Sequence, residues 1–276
     1  MTDSAVEIAQ GERFGFGENW SRFLDLVDEN RILLAEQSLQ ALLGSSRLDA
    51  LRLLDVGSGS GLFSLVARRL GATVRSFDYD PHSVACTAEL RRRYRPDDVH
   101  WQVERGSVLD EAYLRGLGKF DVVYSWGVLH HTGAMWGAVS NAASAVVPGG
   151  VLALAIYNTQ PVFTPFWIGV KRLYRALPNW LRPVLVWLYL GYAAGASSLV
   201  DLLRGRVPWA RWGRHGARGM SLYHDAVDWV GGWPFETATP QEVEAFLLPR
   251  GFTSVWHRTV GRRHGCNEFL FRRSVH

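Results

Sequence analysis

The chain is poor in cysteine, with two in 276 residues. Cys86 and Cys266 form no CxxC pair and have no histidines at metal-ligand spacing, so neither a disulfide scaffold nor a metal centre is expected. With 47% hydrophobic and 20% charged residues, the composition lacks the marks of disorder or of collagen-like structure. The first twenty residues contain no basic stretch followed by an apolar one. No secretory signal is therefore expected, and a reduced cytoplasmic compartment is the simplest reading. One candidate membrane segment exists, 17 uncharged residues over 184–200 diluted by Gly191, Gly195 and two serines. It is just short of a usual span and reads as a buried or interfacial helix.

Charge is scarce on average and concentrated in one place. The net value is +4. Between Gln160 and Met220, however, nine Lys/Arg stand against Asp201 alone, a net of +8, leaving 21 bases and 25 acids, a net of −4, elsewhere. The same segment holds five of the twelve tryptophans.

Outside that segment, short apolar runs alternate with helical patterns. Strands are expected over 51–56, 73–77, 99–103, 120–125 and 151–157, the last entered by a turn at Pro148-Gly149-Gly150. Helices are expected over 62–70, 81–94 and 134–147. Strands that are apolar throughout and separated by helices imply a parallel sheet covered on both faces. Residues 160–220 read as helical and basic-aromatic, interrupted by five prolines. Thr239-Pro240-Gln241-Glu242 reads as a capped helix start, and 252–260 and 268–272 read as two final strands.

The chemistry-bearing residues fall at strand ends. The first strand runs into Asp55-Val56-Gly57-Ser58-Gly59-Ser60-Gly61, a turn in which glycines allow close backbone approach to a ligand. Leu62 stands where a dinucleotide fingerprint would have its third glycine, which argues against a pyrophosphate site. Asp78, 23 residues after Asp55, ends the second strand and can accept both hydroxyls of a ribose. Arg105-Gly106-Ser107-Val108 follows the third strand, Ser125-Trp126-Gly127-Val128-Leu129-His130-His131 closes the fourth, and Pro148-Gly149-Gly150 opens the fifth.

In this order and spacing the residues resemble class I S-adenosylmethionine-dependent methyltransferases, in particular ubiquinone/menaquinone-biosynthesis-like small-molecule methylases. The resemblance covers roughly residues 51–157 and the last helix and strands. It implies an α/β, Rossmann-like, doubly wound sheet of seven mostly parallel strands with a helical insertion after the fifth. The expected organisation is a helical cover over 1–48, a cofactor-binding core over 49–158 and 237–276, and a helical insertion over 159–236. It further implies S-adenosylmethionine as cofactor, released as S-adenosylhomocysteine. Asp55, Gly57, Ser58, Gly59 and Gly61 would face its methionine end and Asp78 its ribose. Tyr79, Ser107 and Val108 would lie against the adenine, and Ser125 and Trp126 would border the sulfonium. The aromatic, Gly-rich segment Phe14 to Trp20 resembles a cover over the cofactor, with Trp20 toward the substrate.

His130 and His131 sit at the carboxyl edge of the sheet, where such folds bind ligands. A histidine suits a general base near neutral pH. His131 is the preferred base, with His130 beside it and His224 further along. The stretch from Ser221 to Glu236 resembles a DWxGGxPFE sequence in a subgroup of these methylases linked with sugar or surface-glycan pathways. Its aromatic rings and carboxylates, with Asp228 and Glu236 as candidate acceptor ligands, suit a hydroxylated substrate. A zinc site around His264 and Cys266 lacks a second ligand pair.

The acceptor class stays open between a sugar or glycan-type hydroxyl and a lipid or quinol. The second is suggested by the basic, Trp-rich insertion, which resembles an interfacial anchor at the inner face of a membrane. N-methylation of a small molecule and packing of the insertion in a homodimer are also open. Nucleic acid is not expected as a partner, because the fourth strand lacks an Asp/Asn-Pro-Pro-aromatic motif and no Pro-Cys nucleophile occurs.

Overall fold

The computed structural model describes residues 4–10, 12–205, 207, 222–261 and 265–275. Seven strands, β1 (Arg52–Val56), β2 (Thr73–Asp78), β3 (Trp101–Arg105), β4 (Phe120–Trp126), β5 (Val146–Tyr157), β6 (Phe252–Arg258) and β7 (Cys266–Arg273), form one sheet. Its order is β3-β2-β1-β4-β5-β7-β6. The first five strands are parallel, and β7 inserts antiparallel between β5 and β6. The doubly wound, mostly parallel sheet implied by the sequence is the sheet observed.

Before β1 come α1 (Ser4–Ala9), α2 (Gly17–Leu24) and α3 (Glu29–Leu43). Between strands lie α4 (Leu62–Arg69), α5 (Pro81–Tyr94), α6 (Glu111–Leu117) and α7 (Met135–Ser144). Between β5 and β6 lie α8 (Phe163–Ala176), α9 (Arg182–Leu203), α10 (Leu222–Gly231) and α11 (Pro240–Leu247). Local chemistry sets the helix starts. Asp28, Asp80 and Asp110 each accept a backbone N–H from the first turn of α3, α5 and α6. Thr239 and Glu242 make a reciprocal capping box at α11.

Two hydrophobic cores sandwich the sheet. One packs Leu54, Val123, Leu154 and Phe271 against α7 and α11. The other packs Leu53, Val74, Tyr124 and Leu270 against α3, α4 and α5. Because successive strand residues face opposite ways, Leu53 and Leu54 serve different cores, so the central strands are apolar on both faces.

Some boundaries differ from expectation. The third strand starts at Trp101, because Val99 is exposed. The helix expected to reach residue 147 stops at Ser144, since Val146 already pairs with Phe120; Pro148-Gly149-Gly150 lies in a bulge within β5. The short helix α6 was not anticipated.

The α8–α9 region after β5 is less buried than the core. Val162, Phe166, Trp180, Trp187, Leu188 and Leu203 are all exposed. The 22-residue α9 is long and apolar enough to cross a membrane by length and composition, and little of it is covered by other helices.

Candidate functional site

The strand order reverses between β1 and β4, and ligands of such sheets bind in the crevice at the carboxyl ends beside that point. Five strand ends converge there. After β1, the Gly57–Gly61 turn is held by N–H bonds from Gly57 and Ser58 to the Phe77 carbonyl, 2.9 and 3.1 Å. Gly57 and Gly59 have φ of +78° and +54°. A Cβ on Gly57 would sit 2.4 Å from a Val128 methyl, and one on Gly59 would sit 2.9 Å from the Trp20 ring. The turn is therefore a backbone surface that no other residue type can form without displacing its neighbours.

Two carboxyl groups flank it. Asp55 is buried and accepts the Ser64 hydroxyl at 2.5 Å; Ser64 in turn contacts Ser76 at 2.6 Å, and Trp101 donates to Ser76 at 2.9 Å. Burial raises Asp55 to about 7, against the Ser64 hydrogen bond and with help from the negative charge of Asp78. Asp78 accepts the N–H groups of Gly59 and Asp80, both at 3.0 Å. Loss of water still raises it to about 6, more than these bonds lower it. Two desolvated carboxyls beside a glycine cradle fit a ligand that brings an ammonium group and vicinal hydroxyls. S-Adenosylmethionine has both, and when bound it supplies an electrophilic methyl group on a sulfonium.

The remaining cofactor candidates are placed as follows. Ser58 Oγ contacts Thr87 Oγ1 at 2.9 Å. Ser107 Oγ accepts the Leu109 N–H at 3.2 Å, and buried Val108 presents its carbonyl to Asn141 at 2.9 Å. The buried Ser125 hydroxyl donates to the Val56 carbonyl at 3.0 Å. Trp126 stacks parallel on Tyr124, ring centroids 5.3 Å apart.

The N-terminal segment straps over this crevice. Tyr79 donates its hydroxyl to Glu7 at 3.0 Å. Arg13 pairs with Glu7, lies 4.9 Å above the Tyr79 ring and donates to the His131 carbonyl at 2.8 Å. Gly17 N–H bonds Asp80 at 2.9 Å. Trp20 rests on Gly59, on the side of the glycine turn, whereas Phe16 faces His131 with ring centroids 4.8 Å apart. Within the strap it is Phe16, rather than Trp20, that meets the histidine pair.

That pair lies in a short 3-10 turn, Leu129–His131, and both rings are buried. His130 Nδ1 accepts the Tyr157 N–H at 3.3 Å, while its Nε2 has no hydrogen-bond partner among the described residues. His131 Nδ1 lies 2.6 Å from the Pro234 carbonyl oxygen. A carbonyl only accepts, so that nitrogen carries the proton and Nε2 holds the free lone pair. Burial is the main cause that lowers both histidines, with the charge of Lys171 adding to it; His131 falls to about 3.

The segment after α10 closes the far side. Tyr157, at the end of β5, touches His130, His131, Trp229 and Phe235 through ring contacts of 4.0–5.4 Å. Asp228 is half-buried on α10 and its charge favours the ammonium of Lys171. Glu236 is turned to another task. Its carboxylate accepts the Met135 N–H at the start of α7, and its own N–H bonds the His130 carbonyl at 2.9 Å. The residue expected as an acceptor ligand thus caps a helix. The His224 side chain and His264 fall outside the described residues.

Three residues at this site were not anticipated: Tyr157, Arg13 and Lys171. Tyr157 could have been found as the last residue of a strand at the carboxyl edge. Lys171 could have been found by its rarity, since the chain has only two lysines among 30 basic residues. Among the described residues no group of three His, Cys, Asp or Glu gathers as for a metal.

Known proteins share this family and fold. A family model described as "Methyltransferase domain" matches residues 27–216, more than half of the chain. Ubiquinone biosynthesis O-methyltransferases are similar over about half of this chain. That of Methylobacterium nodulans is 33% identical over 139 residues, 48% of this chain and 51% of the relative. That of Xanthomonas campestris pv. campestris is 35% identical over 133 residues, 48% and 54%. The chain spans about half the length of the curated relatives it matches. Among solved structures, magnesium protoporphyrin IX methyltransferase from Synechocystis PCC 6803 with bound SAH aligns over 99% of this chain and 100% of its own, at 16% identity and a TM-score of 0.58. The same enzyme with bound SAM aligns at 14% identity and a TM-score of 0.55, over 99% and 98%. The chain belongs to the methyltransferase-domain family.

Proposed function

We propose that the chain O-methylates a hydroxyl group on an amphiphilic acceptor, with His131 as general base. The observation that carries the reading is the 2.6 Å contact of His131 Nδ1 with the Pro234 carbonyl. It fixes the tautomer whose Nε2 can take a proton from a hydroxyl. His130, its Nδ1 held by the Tyr157 N–H, orients the neighbouring ring by packing. On the cofactor side, Asp78 accepts the ribose hydroxyls, Asp55 faces the methionine ammonium, the Gly57–Gly61 backbone lines the methionine end, and Tyr79 with Ser107 and Val108 borders the adenine. Holding both partners in line and excluding water can supply roughly 7–11 kcal/mol of the barrier in favourable cases.

The amphiphilic character is supported by a groove of about 440 Å³ between α8 and α9, lined by Phe163, Phe166, Trp167, Leu185, Leu188 and Tyr192. Trp167 in this groove touches Trp229, ring centroids 5.4 Å apart, and Trp229 touches Tyr157 beside the histidines at 5.3 Å. An aromatic path thus joins an exposed apolar face to the base. The curated relatives, named for ubiquinone biosynthesis, make a lipid or quinol acceptor the first class to assay. In this reading exposed Trp180 and Trp187 and the apolar face of α9 rest on the inner face of a membrane. A second reading, a sugar or glycan-type hydroxyl, is supported by half-buried Asp228 next in sequence to Trp229, whose ring meets that of Phe235 at 6.4 Å, since carboxylates accept sugar hydroxyls and rings stack on sugar C–H faces.

The test is transfer of labelled methyl from S-adenosylmethionine to three acceptor sets: prenylated phenols presented in anionic vesicles, free sugars and glycan ends, and small amines. Methylation of the first with co-sedimentation on the vesicles supports the reading. Turnover confined to sugars replaces the acceptor class, and turnover confined to amines removes the need for a base.

A further inference from the structure

Lys171 is fully buried in a chain that has only one other lysine, Lys119, among its 30 Lys and Arg residues. Burying an ammonium is costly unless it is matched by charge or hydrogen bonds. Its Nζ donates to the Trp229 carbonyl, in the last turn of α10, where the helix dipole favours a cation. It also lies 4.6 Å from the Phe235 ring centroid and 5.1 Å from that of Trp229, a cage that attracts a cation through the ring faces. Nothing in the packing of α8 requires a charge there; a methionine would fill the same volume.

The groups that Lys171 binds bracket the partner of the base. Trp229 lies five residues before Pro234 and Phe235 one after it. Gly232 between them packs on the His131 ring, where a Cβ would come within 3.1 Å of His131 Cε1. We propose that Lys171 is a positioning residue for the methyl-transfer site: by clamping the 229–235 segment it fixes the Pro234 carbonyl and so holds His131 with Nδ1 protonated and Nε2 free. The inference rests on the reading of His131 as base for its consequence in turnover, though not for the coupling itself.

Charge reinforces geometry. Around His131 stand Lys171 from α8, Arg13 from the strap, His130 and the Pro234 carbonyl. Around Lys171 stand Asp228 from α10 and the histidine pair. The two fixed cations oppose protonation of the histidines, and Asp228 holds the ammonium in place. Desolvation brings Lys171 down to about 7, so the clamp itself titrates where the enzyme can be studied.

Two lysines make the test direct, because lysine labelled with carbon-13 gives two Cε signals, from Lys119 and Lys171. The full chain is titrated while these signals and the nitrogen-15 imidazole signals of His131 are followed. The expected result is that Lys171 titrates well below the ordinary lysine value of 10.5 and that the His131 signals shift with the same midpoint, keeping the Nδ1–H tautomer below it. His131 signals indifferent to that midpoint overturn the proposal, with no variant required. Lys171→Met is the second arm. Its kcat should fall roughly 10- to 100-fold, the cost of small misplacement, with S-adenosylmethionine affinity by calorimetry held and the His131 tautomer mixed. An unchanged tautomer in folded Lys171→Met also overturns it. If coupling is seen while His131→Ala keeps full activity, the clamp stands and the assignment of the base fails.

Discussion

His131 Nδ1 and the Pro234 carbonyl oxygen, 103 residues apart in sequence, meet at 2.6 Å. Removing the ring removes the free Nε2 and nothing that faces the cofactor. His131→Ala should therefore lose about 10²- to 10⁴-fold in kcat, the usual worth of a general base, while binding S-adenosylmethionine as before. Calorimetry alongside turnover checks this, and full activity in the variant sinks the assignment.

The cofactor side carries its own pH dependence. Asp78 is raised to about 6 by desolvation, and accepting two ribose hydroxyls favours its ionised form. Affinity for S-adenosylmethionine should be level from about one unit above pH 7 and fall as pH drops through 7 and 6, where Asp55 and then Asp78 take up protons, with proton release on binding in that range. Calorimetry in buffers of different ionisation enthalpy measures both. Asp78→Ala should bind weakly and lose the part of this dependence near pH 6; unchanged affinity would remove the ribose role.

The sheet was legible because its strands alternate with helices and are apolar on both faces, a pattern that survives small boundary errors such as Val99. Asp55, the glycine turn and Asp78 were legible because backbone geometry at a strand end restricts which residues fit. The acceptor side was not, because its contacts join elements distant in sequence. Nothing local to Lys171 shows that its amine reaches Trp229, and nothing local to Glu236 shows that its carboxylate caps α7.

Glu236 gives the clearest contrast between binding and support. Its carboxylate satisfies amides at the start of α7, where a negative charge is favoured. Burial raises it, and the Met135 and Gly133 N–H groups pull the other way. Glu236→Ala should cost about 1 kcal/mol of stability, typical of a lost cap, seen as a lower midpoint in chemical denaturation. KM for the acceptor should not move. A raised KM at unchanged stability would restore the acceptor role.

Lys171 also leaves a mark on stability. Its folded value of about 7 lies below the ordinary 10.5, so between these the unfolded chain binds more protons and stability rises with pH. Asp55 and Asp78, raised to about 7 and 6, act in the opposite sense until both are ionised, about one unit above pH 7. From about pH 8 to 9 stability of the cofactor-free protein should therefore climb by up to about 1.4 kcal/mol per unit. Lys171→Met should flatten that rise.

Trp20 and Gly59 join the strap to the cofactor turn. With φ of +54° and the Trp20 ring 2.9 Å from where a Cβ would stand, Gly59→Ala must both strain the backbone and push the ring away. Strain of this kind costs roughly 1–3 kcal/mol. The same substitution also moves the N–H that Gly59 gives to Asp78 at 3.0 Å, so cofactor affinity should fall with stability. Trp20→Ala separates the two effects. It removes the cover and leaves the turn intact, so the Gly59–Asp78 bond persists and the fold loses only the packing of one half-buried ring. S-Adenosylmethionine should then dissociate faster while its association rate is unchanged or higher, which stopped-flow fluorescence can follow through the tryptophans that remain. If Trp20→Ala slows association instead, the ring helps form the site and does not cover it.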